Sequence, residues 1–263
     1  MERSVCMSHY IDLNSDLGES FGNYTLGMDS EVLNHVTSAN VACGWHAGDP
    51  LIMEATVRMC KEKGVAVGAH PGYPDLMGFG RRAMAVNPGE AKAYMIYQLG
   101  ALQAFCDSYG VTLQHMKLHG AFYNTACVTP ALADAVLDGL QAVNPNIAAM
   151  VLSGSYIAKE AQRRGIPVIQ EVFADRGYTD EGTLVPRTEP GAYIKDPQEA
   201  LERVLMMVKE GKVVTNTGNT IDIVADSICV HGDNPEAIAF TKYIREGLAK
   251  AGVTVANFQD RKK

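Results

Sequence analysis

The sequence predicts an α/β fold, a TIM-like (β/α) barrel with seven strands and irregular connections. Three observations carry that prediction. Five times a polar capping residue stands directly before proline, at Asp49-Pro50, Asn87-Pro88, Thr129-Pro130, Asp196-Pro197 and Asn234-Pro235. A capping side chain followed by Pro at the first helical position is a helix start. Five glycines, at 64, 110, 165, 211 and 252, stand where those segments should stop, because Gly tolerates the left-handed turn that ends a helix. Between the helices fall seven short strand-like runs, and strands alternating with helices imply parallel βαβ units.

Taken in order, the strand-like runs are 10–15, 38–43, 65–69, 113–119, 148–153, 168–174 and 226–231. Six to seven helices separate them. The segment after Pro50 carries Leu51, Met53, Ala55, Val57 and Met59 before Gly64; the one after Pro235 carries Ala237, Ile238, Phe240, Tyr243, Ile244 and Leu248 before Gly252. The second repeats apolar residues at helical spacing, and the first is bounded as a helix by its Asp49-Pro50 start and Gly64. Two stretches depart from the alternation. Residues 212–223, KVVTNTGNTIDI, read as a hairpin turning at 216–219. Residues 175–195 hold Gly177, Gly182, Pro186, Pro190 and Gly191, and form a long loop of the kind that serves as a lid. VTVANF, 253–258, is either an eighth strand or a terminal extension. No linker interrupts the pattern, so 10–258 is expected to be one barrel domain with tails at 1–9 and 259–263. A doubly wound open sheet is the alternative.

Composition narrows the function. The 263 residues carry 47% apolar and 20% charged side chains and a net charge of −7. An acidic chain is a poor nucleic-acid partner, since phosphate contacts need clustered Lys and Arg. No apolar run reaches the roughly 18 residues of a membrane span, and the first ten residues lack the apolar core of a secretory signal. A cytoplasmic protein is expected. The cysteines at 6, 43, 60, 106, 127 and 229 form no CxxC pair and read as reduced, mostly buried thiols.

Polar residues gather where the strands end, and in a barrel that edge holds the active site. Asp12, Asn14 and Asp16 alternate along the first run and so share one face. Asn40, Cys43, His46 and Asp49 follow the second, and His70, Tyr73 and Asp75 the third. The fourth run, HMKLHGAFYN, carries Lys117 and His119 with Tyr123 and Asn124 beyond. His115, on the same face, is expected to pack at the far end of its strand. Glu171, Asp175 and Arg176 close the sixth, and Cys229, His231 and Asp233 the last. His9 and His35 read as surface residues. Charges inside strands are costly unless paired, so a single one would signify only an ion pair. Four of seven histidines, at 46, 70, 119 and 231, fall just after strands, and that repetition points to a shared pocket. A divalent metal is left open. If one is held, Asp16, His46, Asp49 and His70 are its ligands. Gly78-Phe79-Gly80-Arg81-Arg82-Ala83 satisfies a GxGxxG/A string but follows a turn rather than a strand, so it is no dinucleotide site. Walker A and GxSxG sequences are absent from the chain.

Six motifs in this order, DLNSDLGE, SANVACGWHAGDP, GAHPGYPDLMGFGRR, KLHGAFYN, EVFADRGY and ICVHGDNP, resemble the LamB/YcsF family over residues 11–255. Leu118, Trp45 and Gly177 stand where that family usually has Pro, Phe and Ala, and none of these changes removes a titratable group. The resemblance implies a barrel akin to glycoside hydrolases and deacetylases. It implies the work of the A subunit of a prokaryotic ATP-dependent 5-oxoprolinase, which opens 5-oxo-L-proline to L-glutamate together with subunits B and C. With no nucleotide motif here, ATP is expected to be bound by the partners. His119 or His70, oriented by Asp16 or Glu171, is the expected general base, and Lys117 the group that meets developing negative charge. Arg81 or Arg82 is expected to hold a carboxylate or phosphate, and Asn14, Asn40, His46, Asp175, Arg176 and His231 to complete the substrate site. Two rival readings are a stand-alone metal-dependent amidohydrolase or deacetylase, and a noncatalytic subunit that only binds substrate.

Overall fold

The computed structural model describes residues 9–232 and 234–260. Cys6, Asp233 and most of the two expected tails lie outside the described residues. In chain order the fold contains β1 (His9–Leu17), α1 (Asp29–Val32), β2 (Ser38–Ala42), α2 (Pro50–Lys63), β3 (Ala66–His70) and α3 (Pro88–Tyr109). Then come β4 (Leu113–Met116), α4 (Gly120–Val128), α5 (Pro130–Val143), β5 (Ala148–Leu152), α6 (Tyr156–Arg163) and β6 (Val168–Phe173). The last third holds α7 (Pro197–Glu210), β7 (Lys212–Val214), β8 (Thr220–Asp222), β9 (Ser227–Cys229), α8 (Pro235–Lys250) and β10 (Val253–Val255).

All five X-Pro pairs start helices, with Pro at the first turn of α2, α3, α5, α7 and α8. Asp49, Asn87, Asp196 and Asn234 accept backbone N–H bonds there, which satisfies donors that a helix start leaves open. The expected stop glycines all have positive φ, from 62° at Gly110 to 77° at Gly252.

β1 to β6 pair in parallel with their neighbours, and β9 then pairs with both β6 and β1. That last pairing, with Asp12 opposite Ser227, closes a seven-stranded barrel and excludes the open sheet. β10 lies outside the ring, parallel to the first residues of β1, so 253–255 is an added edge rather than an eighth stave. β7 and β8 form the antiparallel hairpin on their own. No single helix among the described residues is long and apolar enough to cross a membrane.

Strand alternation sorts the side chains. Leu13, Val41, Val67, Met116, Val151, Val172 and Ile228 face outward and join helix residues such as Val57, Leu99, Leu137 and Val204 in one buried core. The inward set is polar: Asp12, Asn14, Asn40, His115, Lys117, Glu171 and Ser227 are all buried. Lower in the barrel, Ala148, Met150 and Ile169 pack with Phe258 from the C-terminal segment. The buried Asp12 carboxylate accepts bonds from the hydroxyls of Thr37, Ser38 and Ser227, and these hydrogen bonds offset its desolvation. His115 does not sit at a strand end. It lies fully buried opposite Gly68, its Nε2 2.8 Å from Asn40 Oδ1. A Cβ on Gly68 would stand 2.1 Å from that nitrogen, so the imidazole fits only because the facing residue has no side chain.

Candidate active site

Above this layer the alternation of β1 brings Asp16 to the open end of the barrel. Its Oδ1 accepts from Asn40 Nδ2 at 2.8 Å and from Lys117 Nζ at 3.0 Å, while Oδ2 lies 3.3 Å from His70 Nε2. Burial alone would raise the Asp16 carboxyl, but His70 and Lys117 hold it well below the usual carboxylate range. Lys117 also lies 2.7 Å from Glu171 Oε1 and donates to Asn14 Oδ1 and Cys229 Sγ, both at 3.2 Å. Burial works against its charge, yet Asp16 and the other anionic neighbours keep the ammonium well above its ordinary range. Tyr123 donates to the second Glu171 oxygen at 2.7 Å. Glu171 therefore steadies Lys117 and Tyr123 rather than an imidazole.

Three histidines meet beside Asp16. His70 Nδ1 donates to the Lys117 carbonyl at 2.8 Å, which leaves Nε2 facing His119 Nδ1 at 3.0 Å. His119 in turn donates from Nε2 to the Phe79 carbonyl at 2.8 Å. These tautomers follow from the partners, because a carbonyl oxygen only accepts. The His46 ring stacks on His119 at 3.7 Å and 2°, with Nε2 3.2 Å from Glu19 Oε1. Burial, reinforced by the neighbouring imidazoles, pushes His46 and His119 well below the ordinary histidine range, and burial with the Lys117 charge pushes His115 down to about 3. His46 and His119 are neutral near pH 7.

Glycines admit this crowding. Gly80, at φ 61°, lies over His46 and His119, where a Cβ would come within 3 Å of the His46 Cβ and of the His119 ring. Phe79 itself takes φ 53°, a strained setting for a non-glycine residue, and so presents its carbonyl to His119. The glycine string of the sequence is thus a loop packed on imidazoles.

A cavity of about 360 Å³ opens above this floor, lined by Asp16, Glu19, His70, Lys117, His119, Tyr123 and Phe173 and rimmed by Arg81, Arg187 and His231. The anticipated residues fall into three groups. Asp16, His70, Lys117, His119, Arg81, Arg176 and His231 line the cavity. Asn14, Asn40, His46 and Glu171 lie beneath or beside it, holding the others by the bonds already described. Arg82, Asp49 and Asp175 lie apart from it. Arg82 pairs with Asp75, and Asp49 caps α2 and accepts from Gly22, so neither converges with the histidines. Asp175 bonds His231 Nδ1 at 2.9 Å behind the rim. The guanidinium of Arg176 donates to the Ala192 and Val185 carbonyls, which ties the 175–195 loop to the barrel.

Glu19 and Arg187 join the cavity without a signal in the strand pattern. Alternation ends at Leu17, and the turn at Gly18, φ 69°, redirects Glu19 toward the cavity in a way no period-two count reveals. Arg187 comes from the long loop, where only the loop's length hints at a role. The anticipated metal set changes accordingly. Asp16 and Asp49 both drop out, and Glu19, His46, His70 and His119 place one donor atom each within 4.8 Å of one another.

Known proteins share this architecture. The sequence model of the LamB/YcsF family matches residues 11–263. The chain is 60% identical over 254 residues to the 5-oxoprolinase A subunit of Fusobacterium nucleatum, covering 97% of this chain and 99% of that one. It is 54% identical to the protein of the same name from Pyrococcus abyssi, over 95% and 98% of the two chains. Among solved structures, the lactam utilization protein of Thermus thermophilus superposes with a TM-score of 0.90 at 45% identity, over 95% of this chain and 100% of that one.

Proposed function

This chain belongs to the LamB/YcsF family, and from that premise we propose that it is the A subunit of a 5-oxoprolinase, which opens the 5-oxo-L-proline lactam to L-glutamate. One observation carries the chemical side of the reading: a buried ammonium, an ionised carboxylate and neutral imidazoles meet at the floor of one arginine-rimmed cavity. A lactam is an unreactive amide, so its carbonyl needs activation before water can add. Phosphorylation of the amide oxygen by ATP supplies it, and the sequence holds no nucleotide motif, so that step belongs to partner subunits B and C.

The residues of this chain then deliver water. Asp16 orients His70, whose Nδ1 is fixed by the Lys117 carbonyl, and the His70–His119 pair accepts the proton. The water oxygen bonds to the ring carbonyl carbon, the ring C–N bond breaks with the proton passing to the leaving nitrogen, and a second water then cleaves the resulting γ-glutamyl phosphate to L-glutamate and inorganic phosphate. Lys117 stabilises the negative charge that develops meanwhile, at the position its two carboxylate partners hold. Arg81 and Arg187 at the rim suit the substrate carboxylate and an attached phosphate.

The deciding experiment measures glutamate formation from 5-oxoproline by this chain, with and without its partner subunits and ATP. The reading expects turnover only from the complete mixture. Lactam or amide hydrolysis by the isolated chain, abolished by chelator, would establish the stand-alone hydrolase instead. Pocket variants that change substrate affinity but leave the chemical step intact would establish a noncatalytic subunit.

A further inference from the structure

We propose that Glu19, His46, His70 and His119 bind one borderline divalent transition-metal ion. The proposal rests on the geometry of the barrel mouth and goes beyond the catalytic reading: with the ion bound, the inner nitrogens of His70 and His119 hold metal rather than the water proton, so the proton-accepting role belongs to the metal-free protein.

The first support is directional. His70 and His119 each commit their outer nitrogen to a backbone carbonyl at 2.8 Å. The inner nitrogens of the two rings therefore face each other across 3.0 Å. A cation held between or beside them satisfies both. An outer N–H given to a carbonyl is also the arrangement that orients metal-bound histidines.

Spacing is the second support. Ligands about 2.0–2.1 Å from a tetrahedral ion stand about 3.3 Å apart. The observed separations are 3.0 Å for His70–His119, 3.2 Å for His46–Glu19, 3.3 Å for His70–Asp16 and 3.6 Å for His119–Glu19. The perpendicular rings of His70 and His119, at 89°, let their lone pairs converge. The parallel stack of His46 on His119 does not, so His46 joins only by turning its ring.

Charge is the third. Asp16, Glu19 and Glu171 bring three carboxylates to this end of the barrel, where Lys117 supplies the buried ammonium. Carboxylates gathered in a confined space favour an added cation, because buried like charges are costly. Imidazole with carboxylate selects the zinc, cobalt and manganese class over magnesium, which prefers oxygen alone.

The test needs no substrate. The full chain is stripped with EDTA and titrated with Co²⁺, Zn²⁺ and Mg²⁺ while visible absorption is followed. Expected are cobalt ligand-field bands that saturate at one equivalent, vanish on adding Zn²⁺ and ignore Mg²⁺. Glu19→Gln and His70→Gln should weaken cobalt affinity on the order of 100-fold, since even outer-shell losses cost about 10–100-fold. Asp49→Asn should leave affinity unchanged. Circular dichroism of each variant checks folding, and the wild-type titration stands whatever the variants do. The proposal is overturned if the wild-type chain binds no cobalt at millimolar metal, which would mean that a shared proton alone reconciles His70 and His119. Equal binding by folded variants and wild type would also overturn it. Failure of 5-oxoproline turnover would leave the metal result untouched.

Discussion

Lys117 and Glu171 form an ion pair of 2.7 Å with both side chains out of solvent, at 3% and 0% exposure. Asp16 holds the other side of the same ammonium at 3.0 Å. One cation thus serves two carboxylates.

Removing Lys117 alone should therefore be severe. Lys117→Met takes the shared cation from two carboxylates and should cost about 3–5 kcal/mol of stability. Adding Glu171→Gln should recover part of that loss, because one stranded charge disappears. Urea unfolding of wild type, both single variants and the double variant checks this. Strict additivity would show that the pair does not couple.

Gly68→Ala tests the lower layer. The new Cβ meets His115 Nε2, and overpacking of a filled interior costs about 1–3 kcal/mol. The displaced imidazole should also loosen Asn40, which holds Asp16. Reduced kcat of the reconstituted enzyme, alongside a lower melting temperature, is the expected pair of results. Unchanged melting would contradict the packing argument.

At the proton-accepting pair, His70→Ala or His119→Ala should lower kcat by about 10²–10⁴ with the fold retained. Steady-state kinetics of the complete complex checks this, and wild-type turnover in both variants would remove them from the chemistry.

The two adjacent arginines should separate cleanly. Arg81→Ala removes a rim cation and should raise KM for 5-oxoproline about 10-fold or more, the size of a lost charged hydrogen bond. Arg82→Ala breaks only the Asp75 pair outside the cavity and should leave KM near wild type. Equal effects would argue that the loop moves as a unit.

Asp175 should give the protein a defined acid sensitivity. Burial pushes its carboxyl up, but the hydrogen bond and charge of His231 more than reverse this, leaving it below the ordinary range. A folded-state value that is depressed contributes stability above the unfolded carboxylate range, about pH 4, and loses it as pH falls through the folded value. The unfolding free-energy gap between wild type and Asp175→Asn should thus hold near about pH 5.5 and shrink as the pH falls below about 4. A gap that ignores pH would show that the pair is not titrating.

The sequence by itself determined the barrel. Its signals are local: a polar residue before five helix-starting prolines, a glycine after five helices, alternation within strands. Such features act within a few residues, so every predicted X-Pro start and glycine stop, and the 212–223 hairpin, is found in place. Alternation likewise put Asp12, Asn14 and Asp16 on one face. Tertiary structure decided which polar residues meet. Asp49 follows the second strand and Glu19 the first, yet the turn at Gly18 carries Glu19 to the histidines while a helix N-terminus takes Asp49. Adjacency does not separate the two arginines either: Arg81 reaches the cavity, whereas Arg82 is held by Asp75. Spacing along a strand fixes the face on which a side chain lies, whereas the partner it meets depends on chain closure over a hundred residues, which no local pattern encodes.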